Sequence, residues 1–220
     1  MSRLHLPDVT LVATASTPEY LPGTLRAIKR CCDKVQFGNL VLFTSTPDAV
    51  QNDLFIDAYT SIVKIEPFTD YGDDSVACFK AYDYADLYQK HILAIGWDGF
   101  VVNTDAWDDR FLEYDWVGAP WPDNVVGNAG FSLISRRLLT ALCLLEIPLD
   151  AEHCHPSDAR ICREEWRDKP GYRSRLEAMG LRWPDPELAR KFSVENEPYN
   201  GSFGFHGRVT LTDVVFKGVI

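Results

Sequence analysis

The residues able to do chemistry fall in a few short strings. Gly96-Trp97-Asp98-Gly99 puts an acid just after the apolar run His91 to Ile95 (HILAI), which reads as a buried strand. In open α/β sheets ligands gather beyond the carboxyl ends of strands, so Asp98 stands where a ligand or metal is met. Asp-Gly is equally a favoured turn pair with no chemistry attached. Gly127-Asn128-Ala129-Gly130 offers backbone that approaches a ligand closely, with an amide that both donates and accepts. The same string suits a turn feeding a strand over Phe131 to Ile134. Trp121 presents a flat face for a ligand ring, or fills the core. His206, next to Gly207 in a polar, glycine-rich loop, is not an obvious core residue, whereas His5, His91, His153 and His155 read as surface or structural residues. Lys80 reaches a phosphate or is a solvated helix charge.

These residues need a scaffold, and the chain supplies alternating elements. Val9 to Ala15 is a β-branched apolar run, followed by Thr17-Pro18-Glu19, a helix-start signature. Further strands are expected over Leu40 to Phe43 and Ser61 to Ile65, a helix over Ser75 to Tyr88, and the central strand over His91 to Ile95. A helix beginning near Ser135 and a polar helix around Glu187 to Lys191 complete the series. Strand-helix alternation implies an α/β fold with a central, mostly parallel sheet flanked by helices. A length of 220 residues with 46% hydrophobic composition suits a single domain over 1–220.

Composition excludes several classes. Lys+Arg of 22 against Asp+Glu of 32 gives a net charge of -10, which disfavours a nucleic-acid acceptor, since phosphate backbones call for a basic field. No stretch reaches the roughly 18 apolar residues of a membrane span, so a cytoplasmic location is expected. The cysteines, at 31, 32, 78, 143, 154 and 162, form neither a CxxC pair nor a secreted disulfide pattern. A zinc site through His153, Cys154 and His155 would need distant partners, because ligands so close in sequence rarely complete a tetrahedron. There is no Walker loop, no GxGxxG after a strand, no GxSxG elbow and no HExxH.

Two blocks in order, Tyr114-Asp115-Trp116-Val117-Gly118-Ala119-Pro120-Trp121 and Gly127-Asn128-Ala129-Gly130-Phe131-Ser132-Leu133, make the chain resemble a GT-A-type (Rossmann-like) glycosyltransferase. More narrowly, with the closing Phe203-Gly204-Phe205-His206, it resembles a microbial glycosyltransferase-like family of unassigned activity. The resemblance implies a nucleotide-binding half over 9–102 and a donor-sugar and acceptor half over 103–208. It also implies a nucleoside-diphosphate sugar as donor, UDP-sugar foremost, with Mn2+ or Mg2+ against the diphosphate, held by Asp98 and His206. In the family's paired-acid string the last acid is Asp98, while Gly96 replaces the first. Asp105 either substitutes for it or caps the following helix. Thr14 at the mouth of the first strand, with Asp70 and Tyr71, falls where the fold meets the nucleotide. Lys80 would face a phosphate, and Trp121, Asn128, Ala129 and Gly130 the donor sugar. Asp158 matches an acid at a helix start and would take the proton of the acceptor hydroxyl, giving inversion. As a helix-capping acid it would leave a retaining route open. The expected acceptor is left open among a glycan, a protein and a small molecule, with nucleic acid disfavoured by charge but not excluded. The other reading of the chain is a nucleotide-sugar- or glycan-binding module without turnover.

Overall fold

The computed structural model describes residues 3–50, 60–67, 84–146 and 157–220. Six strands form the main sheet in the order β3-β2-β1-β4-β7-β6. They are β1 (Leu4–Ala15), β2 (Val35–Thr44), β3 (Thr60–Lys64), β4 (His91–Ile95), β6 (Trp116–Val117) and β7 (Phe131–Ser135), while β5 (Phe100–Val101) lies outside this sheet. From β3 to β4 neighbours run parallel; β4–β7 and β7–β6 are antiparallel. The architecture is mixed α/β with the sheet at its centre, as the alternation of elements implies.

Side chains alternate across the pleat, so both faces carry apolar residues. Leu11, Ala13, Leu93, Ile95 and Leu133 pack on the face covered by α1 (Leu21–Lys34). Val12, Val41, Phe43, Ile92 and Ile134 pack on the other, under Leu138 and Leu142 of a helix over Arg136–Leu144. A strand buried on both faces has no polar alternation, which is why β4 reads as a continuous apolar run.

In chain order the remaining helices are α2 (Pro47–Val50), α3 (Arg136–Leu144), α4 (Ser157–Cys162), α5 (Arg173–Ala178), α6 (Pro186–Phe192) and α7 (Arg208–Phe216). A hairpin joins β8 (Glu165–Trp166) to β9 (Lys169–Pro170). A second sheet, β10-β11-β5, uses β10 (Ser193–Glu195) and β11 (Gly204–His206). An aromatic cluster of Phe111, Phe131, Phe192 and Phe203, with ring centroids 5.2 to 5.9 Å apart, fills the space between the two sheets.

Two local expectations need correction. The first helix starts at Leu21 with Pro22 in its first turn, not at Thr17-Pro18-Glu19, which forms a turn closed by Tyr20 N–H to the Thr17 carbonyl at 3.2 Å. Proline suits the first helical turn at either place, and the chain uses the later one. Asp105 is not the cap of the 3-10 turn over Thr104–Ala106; the Asn103 side chain is, accepting from Asp105 N–H at 3.1 Å. The expected helix over Ser75 to Tyr88 lies almost wholly outside the described residues, as do Lys80, Asp70, Tyr71, His153, Cys154 and His155.

Asp115, the acid of the Tyr-Asp string, is buried and has a structural task. Its carboxylate accepts from Ser135 Oγ at 2.6 Å, from Arg137 Nε and Nη2 at 3.1 and 2.7 Å, and from Arg182 N–H at 2.8 Å. Ser135 in turn caps α3 through Leu138 N–H at 3.0 Å. One carboxylate thus ties β6, the β7–α3 junction and the chain before α6 together. Removing it leaves donors buried without an acceptor, so Asp115→Ala should cost about 2–3 kcal/mol of unfolding free energy. Urea denaturation measures this, and a loss below about 1 kcal/mol would show that the clamp is dispensable.

Candidate functional site

The chain leaves β4 at Ile95 and turns through Gly96 to Gly99 into β5, a turn held by Gly96 N–H to the Gly130 carbonyl at 3.0 Å. Asp98 sits on this turn, buried, at the carboxyl end of the central parallel strands. β11 runs antiparallel to β5, with Phe205 opposite Phe100 and Gly204 opposite Val101, and this pairing carries His206 to the turn. β10 runs parallel to β11 and sets Glu195 beside His206. The result is a chain of three titratable groups. His206 Nε2 lies 3.4 Å from Asp98 Oδ1, and His206 Nδ1 lies 3.0 Å from Glu195 Oε1.

Burial works against charge on the imidazole, but hydrogen bonds to Asp98 and Glu195, with the charges of both, outweigh it and raise the His206 pKa to about 10. Burial likewise raises the Asp98 carboxyl, yet the hydrogen bond and charge of His206, and the charge of Arg208, bring it below the usual carboxylate value. Near neutral pH His206 is an imidazolium beside the Asp98 carboxylate, with Glu195 at its Nδ1.

The glycine block fits against this centre. A Cβ on Gly130 would lie 2.2 Å from His206 Cε1 and Nε2, so only glycine lets this backbone lie against the imidazole. Asn128 fixes the block's shape: its Oδ1 accepts from Gly130 N–H at 3.2 Å, and its N–H donates to the Ala119 carbonyl at 3.2 Å. Ala129 is buried, and its carbonyl accepts from Ser132 Oγ at 2.9 Å. Gly96 also lines the centre. A Cβ there would lie 3.3 Å from Asp98 Oδ1 and 3.8 Å from His206 Nε2, so the position where the resemblance has an acid abuts both groups.

The other predicted residues occupy different surroundings. Thr14 is buried one residue before the end of β1, its carbonyl accepting from Thr24 Oγ1 at 3.4 Å. One face of Trp121 carries the Arg163 guanidinium, 4.3 Å from the ring centroid. Asp158 lies in the first turn of α4, half-buried, with Oδ1 accepting from Ala159 N–H at 2.7 Å. The far end of α4 reaches the glycine block, where a Cβ on Gly127 would lie 2.5 Å from Cys162 Cβ and from the Trp121 ring.

Among the described residues, no group of three or more His, Cys, Asp or Glu side chains is arranged to hold a metal ion. One carboxylate oxygen and one imidazole nitrogen, 3.4 Å apart, fit a hard cation as two of its about six ligands, the rest left to phosphate and water oxygens. Glu195 behind Nδ1 is the usual outer partner of a ligating imidazole. A cation at Nε2 must displace the proton that faces Asp98 there, so cation and proton compete.

The family model for the group described as Protein of unknown function (DUF5672) matches residues 62–206, which span Asp98, the glycine block, Glu195 and His206. The chain belongs to this family. No curated protein matches the chain in sequence. Solved structures similar to this DUF5672 chain include Rv0371C from Mycobacterium tuberculosis H37Rv in complex with manganese, at 16% identity and TM-score 0.40, covering 64% of this chain and 76% of that one. Another is the mannosyltransferase PcManGT from Pyrobaculum calidifontis in complex with GDP-Man and Mn2+, at 14% identity and TM-score 0.43, covering 67% of this chain and 50% of that one. A third is an Rv0371c homologue from Mycobacterium sp. strain JC1, at 17% identity and TM-score 0.41, covering 62% and 74%. No helix among the described residues is long and apolar enough to cross a membrane.

The centre makes stability depend on pH. The folded His206 pKa, about 10, lies above its free value of 6.5. Its contribution is therefore complete below about pH 6.5 and is lost as pH rises through about 10. His206→Gln should flatten the alkaline fall in stability over that window, as read from denaturant midpoints; an unchanged slope would exclude the raised pKa. Gly130→Ala should cost about 1–3 kcal/mol by overpacking and shift the imidazole resonances of His206 in NMR spectra.

Proposed function

We propose that this chain is a glycosyltransferase that moves a sugar from a nucleoside-diphosphate sugar to an acceptor hydroxyl. One observation carries the reading: Asp98, His206 and Glu195 converge at the carboxyl end of the central strands, against a glycine backbone with no side chain in the way. That is where an open α/β sheet receives a ligand, and a hard cation held by Asp98 and His206 would suit an anion whose charge grows during reaction.

In this reading the donor's diphosphate lies at Asp98 and His206, and its sugar lies along Asn128 to Gly130 with Trp121 nearby. Thr14 is placed towards the nucleotide. The acceptor oxygen attacks the anomeric carbon as the bond from that carbon to the diphosphate oxygen breaks. The acceptor proton passes to the Asp158 carboxylate, and the bonding pair leaves with the diphosphate. Attack from the face opposite the leaving group inverts the anomeric centre. Glu195 holds Nδ1 of His206, which directs Nε2 towards Asp98 and the diphosphate. Asp98 and His206 would hold Mg2+ or Mn2+, which supplies Lewis-acid stabilisation of the departing charge.

Calorimetric titration of UDP, GDP, CDP and dTDP, with and without Mn2+, tests the donor site. One diphosphate should bind, more tightly with Mn2+, and Asp98→Ala should abolish the gain; no binding to any of the four would overturn the reading. Turnover tests the base. Asp158→Asn should lower transfer by at least about 10²-fold with donor affinity kept. A protein that binds donor but shows neither transfer nor hydrolysis is the binding module instead.

A further inference from the structure

Beside Asp98 the structure builds a second feature that the scheme above does not use. The Trp97 indole stacks on Tyr20, with ring centroids 6.4 Å apart and planes inclined by 21°. The start of α1 backs it, since a Cβ on Gly23 would lie 3.1 Å from Trp97 Cβ. Over the indole lies Arg208, its guanidinium carbon 5.2 Å from the ring centroid. Arg208 is exposed, and among the described residues its guanidinium makes no hydrogen bond or ion pair. Four arginines of the chain are spent on acids, Arg110 on Asp108, Arg137 on Asp115, Arg163 on Asp123 and Arg173 on Glu177; Arg208 is not among them.

Its place is set by the backbone. Gly207 joins β11 to α7 at φ 95°, in the left-handed region, and a Cβ there would lie 2.4 Å from Asn196 Oδ1. Arg208 therefore follows His206 at a fixed offset. Its charge already reaches the centre, where it helps to lower the Asp98 carboxyl.

We infer that Arg208, supported on Trp97, is a phosphate-binding residue that receives the donor's diphosphate at the mouth of the Asp98–His206 centre. The inference rests on the glycosyltransferase reading for the identity of its ligand. A guanidinium held over an aromatic face keeps N–H groups available for bidentate contact with phosphate oxygens. The charge points the same way, since a diphosphate is anionic and the Arg208 guanidinium is a cation that makes no ion pair among the described residues.

The test is titration of UDP, GDP, CDP and dTDP into wild type, Arg208→Ala and Arg208→Lys, in EDTA and in Mn2+, following heat and tryptophan emission. In EDTA, Arg208→Ala should weaken the diphosphate that binds by about tenfold or more, and Arg208→Lys should fall between, since an ammonium keeps the charge but not the fork. Emission should change on binding in wild type and not in Trp97→Phe. Thermal melts of Arg208→Ala should match wild type, because the side chain is exposed, so lost affinity is not lost fold. Equal affinity in Arg208→Ala and wild type overturns the inference and leaves the donor site standing. Absence of binding in wild type under either condition overturns both.

Discussion

The short antiparallel pairing of β11 with β5 is the constraint on which the site depends. Asp98 reaches its place through local sequence, because the chain must turn after β4. His206 comes from more than a hundred residues later and is held there by Phe205 opposite Phe100, whose rings meet at 4.8 Å and 74°. The aromatic cluster beneath ties this pairing to β7 and α6, so the position of the imidazole is settled by the packing of the core. Gly130 closes the arrangement from the third side.

That packing creates an electrostatic situation which water would not favour. A buried carboxylate and a largely enclosed imidazole are each costly to charge alone, and become affordable to the fold only as a pair with Glu195 behind them. The group is then poised. It holds a proton firmly, yet its members are the ones that a cation or a phosphate would engage. Asp115 shows the contrasting use of a buried acid, with its lone pairs fully committed to Ser135, Arg137 and Arg182 and no capacity left for a ligand.

Much of the framework was legible because its signals are local. The HILAI strand, the helix beginning near Ser135 and the polar helix around Glu187 to Lys191 each announce themselves within a few residues. Asp98 could be singled out by its place after a buried strand, and His206 by its glycine-rich loop. Glu195 could not, because its partnership arises from the parallel register of β10 and β11; the string Ser193-Val194-Glu195 shows only a brief apolar-polar alternation. Tyr20, Trp97 and Arg208 are likewise joined by folding alone. Asp115 is visible in the Tyr114 to Trp121 block, but local sequence does not reveal that two separate segments, the β7–α3 junction and the chain before α6, converge on it.

The two sheets differ in how firmly they are built. β1 is twelve residues long and is paired along both edges, whereas β11 is three residues long and meets β5 at two register positions. Local opening follows the weaker ladder, so His206 and Glu195 belong to a unit able to part from the Asp98 turn while the main sheet stays intact. A ligand that touches both sides of that seam lengthens the lifetime of the closed form, and its residence time and the slowness of amide exchange along β11 become two measures of one equilibrium.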